Sequence, residues 1–264
     1  MTQHTVNHTV YNPIDEYGAN QQSPINSLRK NPNEYAELAN IVKSHFPYMT
    51  DEDIKNYLQK LCDEGCCYVA MINSLFEEFT NRRNEFKDIF GFDMTSADGS
   101  FNYNHILVDL YCKMDNHNQQ HFLFFTWDSY AKNEDRILYE DEDGTIQWRN
   151  NPYGNTFIQI KHRWQTYCKR YGIKVRVKRT QDITPSNFYK YVQKGYVCIS
   201  CRDYTMYDDC GKSTHVDNGH TMIITNVTPD YKYIVSSWGK RYTLDLYNVK
   251  GDLSYRLIQY QKRG

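Results

Sequence analysis

Residues 64–72 read Glu-Gly-Cys-Cys-Tyr-Val-Ala-Met-Ile and set a glycine between two helical patterns. Upstream, Thr50 precedes Asp51, Glu52 and Asp53, an acidic first turn that suits a helix N-terminus. Ile54, Tyr57, Leu58 and Leu61 then recur at i, i+3, i+4 and i+7, one apolar face of an amphipathic helix. Gly65 interrupts it. Beyond the break Val69, Ile72, Phe76 and Phe79 line a second helix, with Ala70 and Leu75 widening the stripe into a core helix. Cys66 therefore falls at a helix N-terminus, where unpaired N–H groups and the macrodipole favour an anion. A thiolate is such an anion and is the reactive form of cysteine. The competing reading makes Cys66 and Cys67 small core residues, since free cysteine is commonly buried.

The chain of 264 residues is long enough for one large domain. A net charge of −1 argues against a nucleic-acid binder held by phosphate neutralisation. The longest apolar run, Phe122–Phe125, is far too short to span a bilayer. The first residues lack a basic stretch followed by an apolar one, so the expected location is the cytoplasm, or outside the cell by a route without a cleaved leader. Eight irregularly spaced cysteines do not form a disulfide framework. Cys198 and Cys201 are spaced like a zinc knuckle, with Cys210 and His215 following, but Cys198 falls inside a strand pattern, so no metal and no cofactor is expected.

Residues 1–33 are rich in Asn, Gln, Thr and Pro and poor in aliphatics, which predicts a flexible tail before a single domain over 34–264. Helical patterns follow at Tyr35–Val42, in the two segments around Gly65, near Asn81–Phe92 and at Asn102–Cys112. Residues 115–121 read as a polar loop and 128–144 as an exposed acidic one. Phe157, Ile160, Trp164, Cys168 and Tyr171 form a helical stripe ending at Gly172. Ile173, Val175 and Val177 alternate with Lys174, Arg176 and Lys178, a half-buried strand whose basic face is either solvated or turned to an acidic partner. After a short helix from Ser186, five strand patterns follow: 196–200, 220–227, 231–238, 241–246 and 255–260. Helices first and an antiparallel sheet last make an α+β chain.

A cysteine nucleophile needs a base and a third group that orients the base. His220 opens an apolar strand directly after Gly219, and the strand ending Ser236-Ser237-Trp238-Gly239 pairs with it as a hairpin. Ser236 is expected beside His220, with Trp238 shielding the pair. His215 is the fallback base, and Asp217, Asn218 and Asn226 are weaker candidates for the third group.

Gly-Cys, Gly-His and Ser-Trp-Gly in that order resemble the papain-like cysteine peptidases. The short Gly-Cys-x-x-x-Ala opening is similar to the bacteriocin-leader-peptidase-like bacterial branch. The Cys-to-His interval, 220 − 66 = 154 residues, is close to the roughly 130–150 of papain-type chains. The resemblance implies a papain-like fold and peptide-bond hydrolysis, with Cys66 as nucleophile, Cys67 as runner-up, His220 as base and Ser236 in the place of the family's Asn. The family's oxyanion-hole Gln stands six residues before the nucleophile. That position is Lys60 here, which makes its neighbour Gln59 the candidate donor. The implied partner is a protein or peptide substrate, with no nucleic acid and no membrane; oligomeric state is left open. The same residues would serve a transglutaminase or glutamine deamidase acting as a bacterial toxin or effector. A papain fold kept as an inactive binding module is the third alternative.

Overall fold

The computed structural model describes residues 17–97, 99–114, 119–122, 125–128, 136–140, 146–150 and 157–261. The chain is mixed α+β, helices first. These are α1 (Ser23–Lys30), α2 (Pro32–His45), α3 (Asp51–Glu64), α4 (Cys66–Phe79), α5 (Arg83–Phe90) and α6 (Tyr103–Met114). Two small antiparallel hairpins follow, β1 (Gln119–Phe122) with β2 (Phe125–Asp128), and β3 (Arg136–Glu140) with β4 (Ile146–Asn150). Then come α7 (Phe157–Arg170), β5 (Val175–Thr180), α8 (Phe188–Val192), β6 (Tyr196–Cys201), β7 (Tyr204–Asp208), β8 (Ser213–Val216), β9 (His220–Val227), β10 (Tyr233–Ser237), β11 (Lys240–Leu244) and β12 (Leu253–Tyr260). The last eight strands form one antiparallel sheet in the order β5-β12-β6-β9-β10-β11-β7-β8.

Both faces of that sheet are apolar. Cys198, Ile223 and Ile258 join the helical core around α4, while Ile199, Met222, Ile224 and Leu257 join a second core closed by Phe188 and Val192 of α8. Helix α4 is central, because every residue from Tyr68 to Phe76 is buried. An element apolar all round can only sit between two layers. Its polar residues are bonded inside: Ser74 Oγ donates to Met71 O (2.6 Å) and meets Tyr260 Oη (2.8 Å). Among the described residues no helix is long and apolar enough to cross a membrane.

Three expectations from the sequence are corrected. The tail predicted to reach residue 33 is already packed from Tyr17, and α1 and the start of α2 lie inside the predicted tail. Ala19 and Gln21 are buried although the stretch is poor in aliphatics, because backbone and amide bonds, not grease, fasten it. The polar loop of 115–121 runs into strand β1, and the acidic segment includes β3; the remainder of both lies outside the described residues. Strands β7 and β8, whose burial only alternates (Tyr204 and Met206 inward), were not distinguished from loop.

The helices are joined by a polar knot. The Asp109 carboxylate on α6 accepts from Lys113 Nζ, Tyr167 Oη and Tyr171 Oη, each at 2.9 Å, and meets His45 Nε2 at 3.1 Å. Burial pushes the Asp109 carboxyl up, but the Lys113 ammonium and the two hydroxyls outweigh it and hold it below the ordinary carboxylate range. A depressed folded-state value stabilises above the unfolded pKa of about 4 and is lost as pH falls through the folded value. Asp109→Asn should cost roughly 3 kcal/mol at neutral pH, the low end for breaking a buried pair. The gap from wild type should close on acidification below about pH 4; denaturant titration at several pH values measures both, and a gap independent of pH would contradict the assignment.

Candidate functional site

The helix break is enforced locally. Thr50 and Asp53 close a capping box at the start of α3. At its other end a Cβ on Gly65 would stand 2.4 Å from Leu61 O, so only glycine lets the chain turn directly into α4. The first intrahelical bond of α4 runs from Val69 N–H to Gly65 O (3.0 Å), and Gly65 offers no capping side chain. Cys66 is thus the first residue of a helix whose dipole points at its sulfur. Both Cys66 and Cys67 are half-buried.

Strand β9 meets this helix end. The His220 imidazole and the Thr221 N–H at the start of β9 stand near enough to the Cys66 sulfur to favour its thiolate. Cys67 faces the strand instead, its Sγ 3.0 Å from Thr221 Oγ1, which in turn donates to Ser200 Oγ (3.1 Å). The single proton of Cys67 has two acceptors, Thr221 Oγ1 and the Cys66 sulfur. Donation from Cys67, with the imidazole and the Thr221 N–H, holds the Cys66 thiol well below the ordinary range despite its burial. Cys67 moves the opposite way, well above, because its proton is held by Cys66 and its surroundings are dry. Burial likewise pushes Cys198 and Cys201 up to about 12, and raises Cys62 and Cys168. Of these thiols Cys66 is the one drawn towards the thiolate.

His220 is held on two sides. Its Nε2 lies 2.7 Å from Ser237 Oγ, and its ring stacks on Trp238 with centroids 4.6 Å apart and planes at 27°. With Nε2–H donated to Ser237, Nδ1 is the nitrogen left to face the thiol. Trp238 and Gly239 form the two-residue turn between β10 and β11, with φ of +48° and +71°. Positive φ at both positions is the hairpin geometry that follows strand twist. For a tryptophan it costs on the order of 1–3 kcal/mol, a strain of the kind that clusters at functional sites.

The hydroxyl that meets His220 is that of Ser237, not of Ser236 as expected from the sequence. Ser236 pairs with Ile223 and points to the α4 side, where it donates to Tyr17 O (2.6 Å) and accepts from Asn73 Nδ2 (3.1 Å). Side chains alternate along a strand, so Ser237 takes the other face, the one His220 shares with Met222. Gln59 is also elsewhere: it is exposed on α3 and donates to Asp63 Oδ1 (3.0 Å). His215, Asp217 and Asn226 have other partners. His215 meets Asp217 (2.8 Å) and Thr205 (3.1 Å), and Asn226 Oδ1 accepts from the next backbone N–H. Cys198 and Cys201 face opposite cores, which a shared zinc ion would not permit.

One residue was missed. Gln21 is buried beside the helix break, its Cβ 3.3 Å from where a Gly65 Cβ would stand, and its Nε2 donates to Cys62 O (2.8 Å). The amide has a second N–H. A strap from Tyr17 to Asn20 delivers it: Tyr17 N–H donates to Gly239 O (2.7 Å), Gly239 N–H to Ala19 O (3.2 Å) and Ala19 N–H to Asn73 Oδ1 (2.8 Å). Gly18 has φ +90°, and a Cβ there would meet Ser236 Oγ at 2.4 Å. The signal in the sequence was Ser23-Pro24, a helix start. No family model matches this chain, and no curated protein matches its sequence.

Iodoacetamide at mildly acidic pH should label Cys66 before the other seven cysteines, as peptide mapping would measure. Cys67→Ala removes a donor to the thiolate, so it should shift the labelling profile of Cys66 to higher pH. Faster labelling of Cys67 in the wild-type protein would reverse the assignment.

Proposed function

We propose that the chain is a papain-like thiol hydrolase that cleaves peptide bonds through an acyl-enzyme. The observation that carries this reading is the half-buried thiol at a helix N-terminus where α4 meets the start of β9, the strand whose first residue is an imidazole held by a serine and a tryptophan. Helix-borne Cys66, strand-borne His220 and Ser237-Trp238-Gly239 follow one another in the order of that family. In this reading the Cys66 sulfur attacks the substrate carbonyl while His220 keeps the thiol proton. The imidazolium then gives that proton to the leaving amine, and water returns the acyl group as a carboxylate. Ser237 accepts from Nε2–H and fixes the ring, the part played by Asn in the family. A serine hydroxyl accepts one such bond as well as an amide does but is free to rotate.

The oxyanion is assigned to the Cys66 backbone N–H and the Gln21 side chain, which replaces Gln59 in that role. Gln21 comes from upstream of α1 instead of from the helix that leads into the nucleophile. It reaches the same end of α4 because the strap returns to Gly65.

Turnover of a fluorogenic peptide library tests the reading. Cys66→Ala should abolish cleavage. Gln21→Ala should lower kcat by about 10²–10³, the usual cost of an oxyanion donor. Ser237→Ala should lower kcat/KM by more than Ser236→Ala once both are corrected for folded fraction, and Gln59→Ala should leave it unchanged. Release of ammonia from glutamine peptides without chain cleavage would replace hydrolysis of the peptide bond with deamidation at the same thiol. Equal losses in the two serine variants would remove Ser237 from its role.

A further inference from the structure

The overall charge of −1 hides a strong separation of charge along the chain. Between Asp143 and Asp203 there are twelve Lys and Arg and one acid, Asp182. The fold gathers part of this block on one face. Val175 and Val177 pack against the helical core, so Lys174, Arg176 and Lys178, all exposed, stand on the opposite face of edge strand β5. Lys178 lies opposite Leu257 and Arg176 opposite Gln259 on β12. Leu257 belongs to the core that α8 covers. The Gln259 amide donates to Lys194 O (3.2 Å), which brings exposed Lys194, just past the end of α8, up to the same stripe. Lys190 is exposed on α8 itself, 5.9 Å from the ring of Tyr189, which is 54% exposed.

Lysine on an edge strand discourages edge-to-edge pairing, but Lys190 and Lys194 lie at α8 and guard no strand edge. None of the five cations is ion-paired among the described residues. Successive strand charges on one face are about 7 Å apart, so Arg176 and Lys178 on β5, with Lys174 just ahead of the strand, form a row widened by the two lysines at α8.

We propose that this face docks on a membrane surface rich in acidic phospholipid, with the five cations in the headgroup layer and Tyr189 at its edge. Clusters of four to eight Lys and Arg are what adsorption to such a leaflet requires, and tyrosine favours the interfacial layer. Single-stranded nucleic acid fits less well, because it needs ring faces free for stacking. Here Tyr191 is half-buried, and Lys190 and Lys194 lie near the rings of Tyr189 and Tyr191. The inference does not depend on the hydrolase reading.

Co-sedimentation of the full chain with vesicles of phosphatidylcholine, with and without phosphatidylserine, tests it. Binding should require phosphatidylserine, fall as salt rises, and drop about a hundredfold in the triple variant Lys174→Gln, Arg176→Gln, Lys178→Gln. Lys190→Gln with Lys194→Gln should weaken it independently, and thermal unfolding confirms that each variant is folded. Equal binding to pure phosphatidylcholine, or no binding to either vesicle, would overturn the proposal. So would unchanged binding by the folded variants. Full competition by millimolar inorganic phosphate would replace the lipid surface with a discrete phosphate site, and tighter binding to duplex DNA than to the acidic vesicles would replace it with nucleic acid.

Discussion

The contact on which the candidate site rests is the meeting of the first turn of α4 with the first two residues of β9. Two adjacent cysteines divide the work there. The Cys67 sulfur bonds with Thr221 Oγ1 and so ties the helix to the sheet. Cys66, one residue earlier and about 100° around the helix, is drawn towards the thiolate by Cys67, His220 and the Thr221 N–H. Donation from Cys67 to Cys66 is the first reason that two neighbouring thiols with similar exposure are driven in opposite directions. The contact also explains the pressure for glycine at 65, since any side chain there would push into Leu61 O and move the start of the helix.

The other half of the site is held by the N-terminal strap. Asn73 lies two turns below Cys66 on the fully buried stretch of α4 and bonds both Ala19 N–H and Ser236 Oγ. Through those bonds one side chain connects α4, the strap that carries Gln21 and the strand that carries Ser237. A buried amide is favourable only when its hydrogen bonds are made. The strap, the helix and the hairpin are therefore coupled, and the turn holding Trp238 over His220 is backed by Tyr17 and Ala19 at Gly239.

Much of this was legible in the sequence, and the reasons for the rest are physical. Apolar periodicity placed α3, which buries the stripe Ile54, Tyr57, Leu58 and Leu61, and apolar runs placed α4, β9 and β10, which are buried almost throughout. The acidic turn after Thr50 and the glycine at 65 marked both ends of α3. Ser236 and Ser237 could not be told apart without the register, since a shift of one residue exchanges the faces of a strand. Gln21 was hidden because the segment around it buries through hydrogen bonds, which leave no hydrophobic pattern. Gln59 was chosen by its distance along the chain, and the helix turns it to solvent. The neutral total charge likewise concealed a block of one sign that the fold concentrates at β5.

The most direct test of the account is the ultraviolet thiolate absorbance of the reduced protein, followed as a pH titration in the wild type, Cys66→Ala and His220→Ala. The wild type should show one thiolate forming well below the ordinary cysteine range of about 8.5. That step should be absent in Cys66→Ala and moved upward in His220→Ala. A wild-type protein with no thiolate until the ordinary range, or an early thiolate that survives the loss of His220 unchanged, would contradict it.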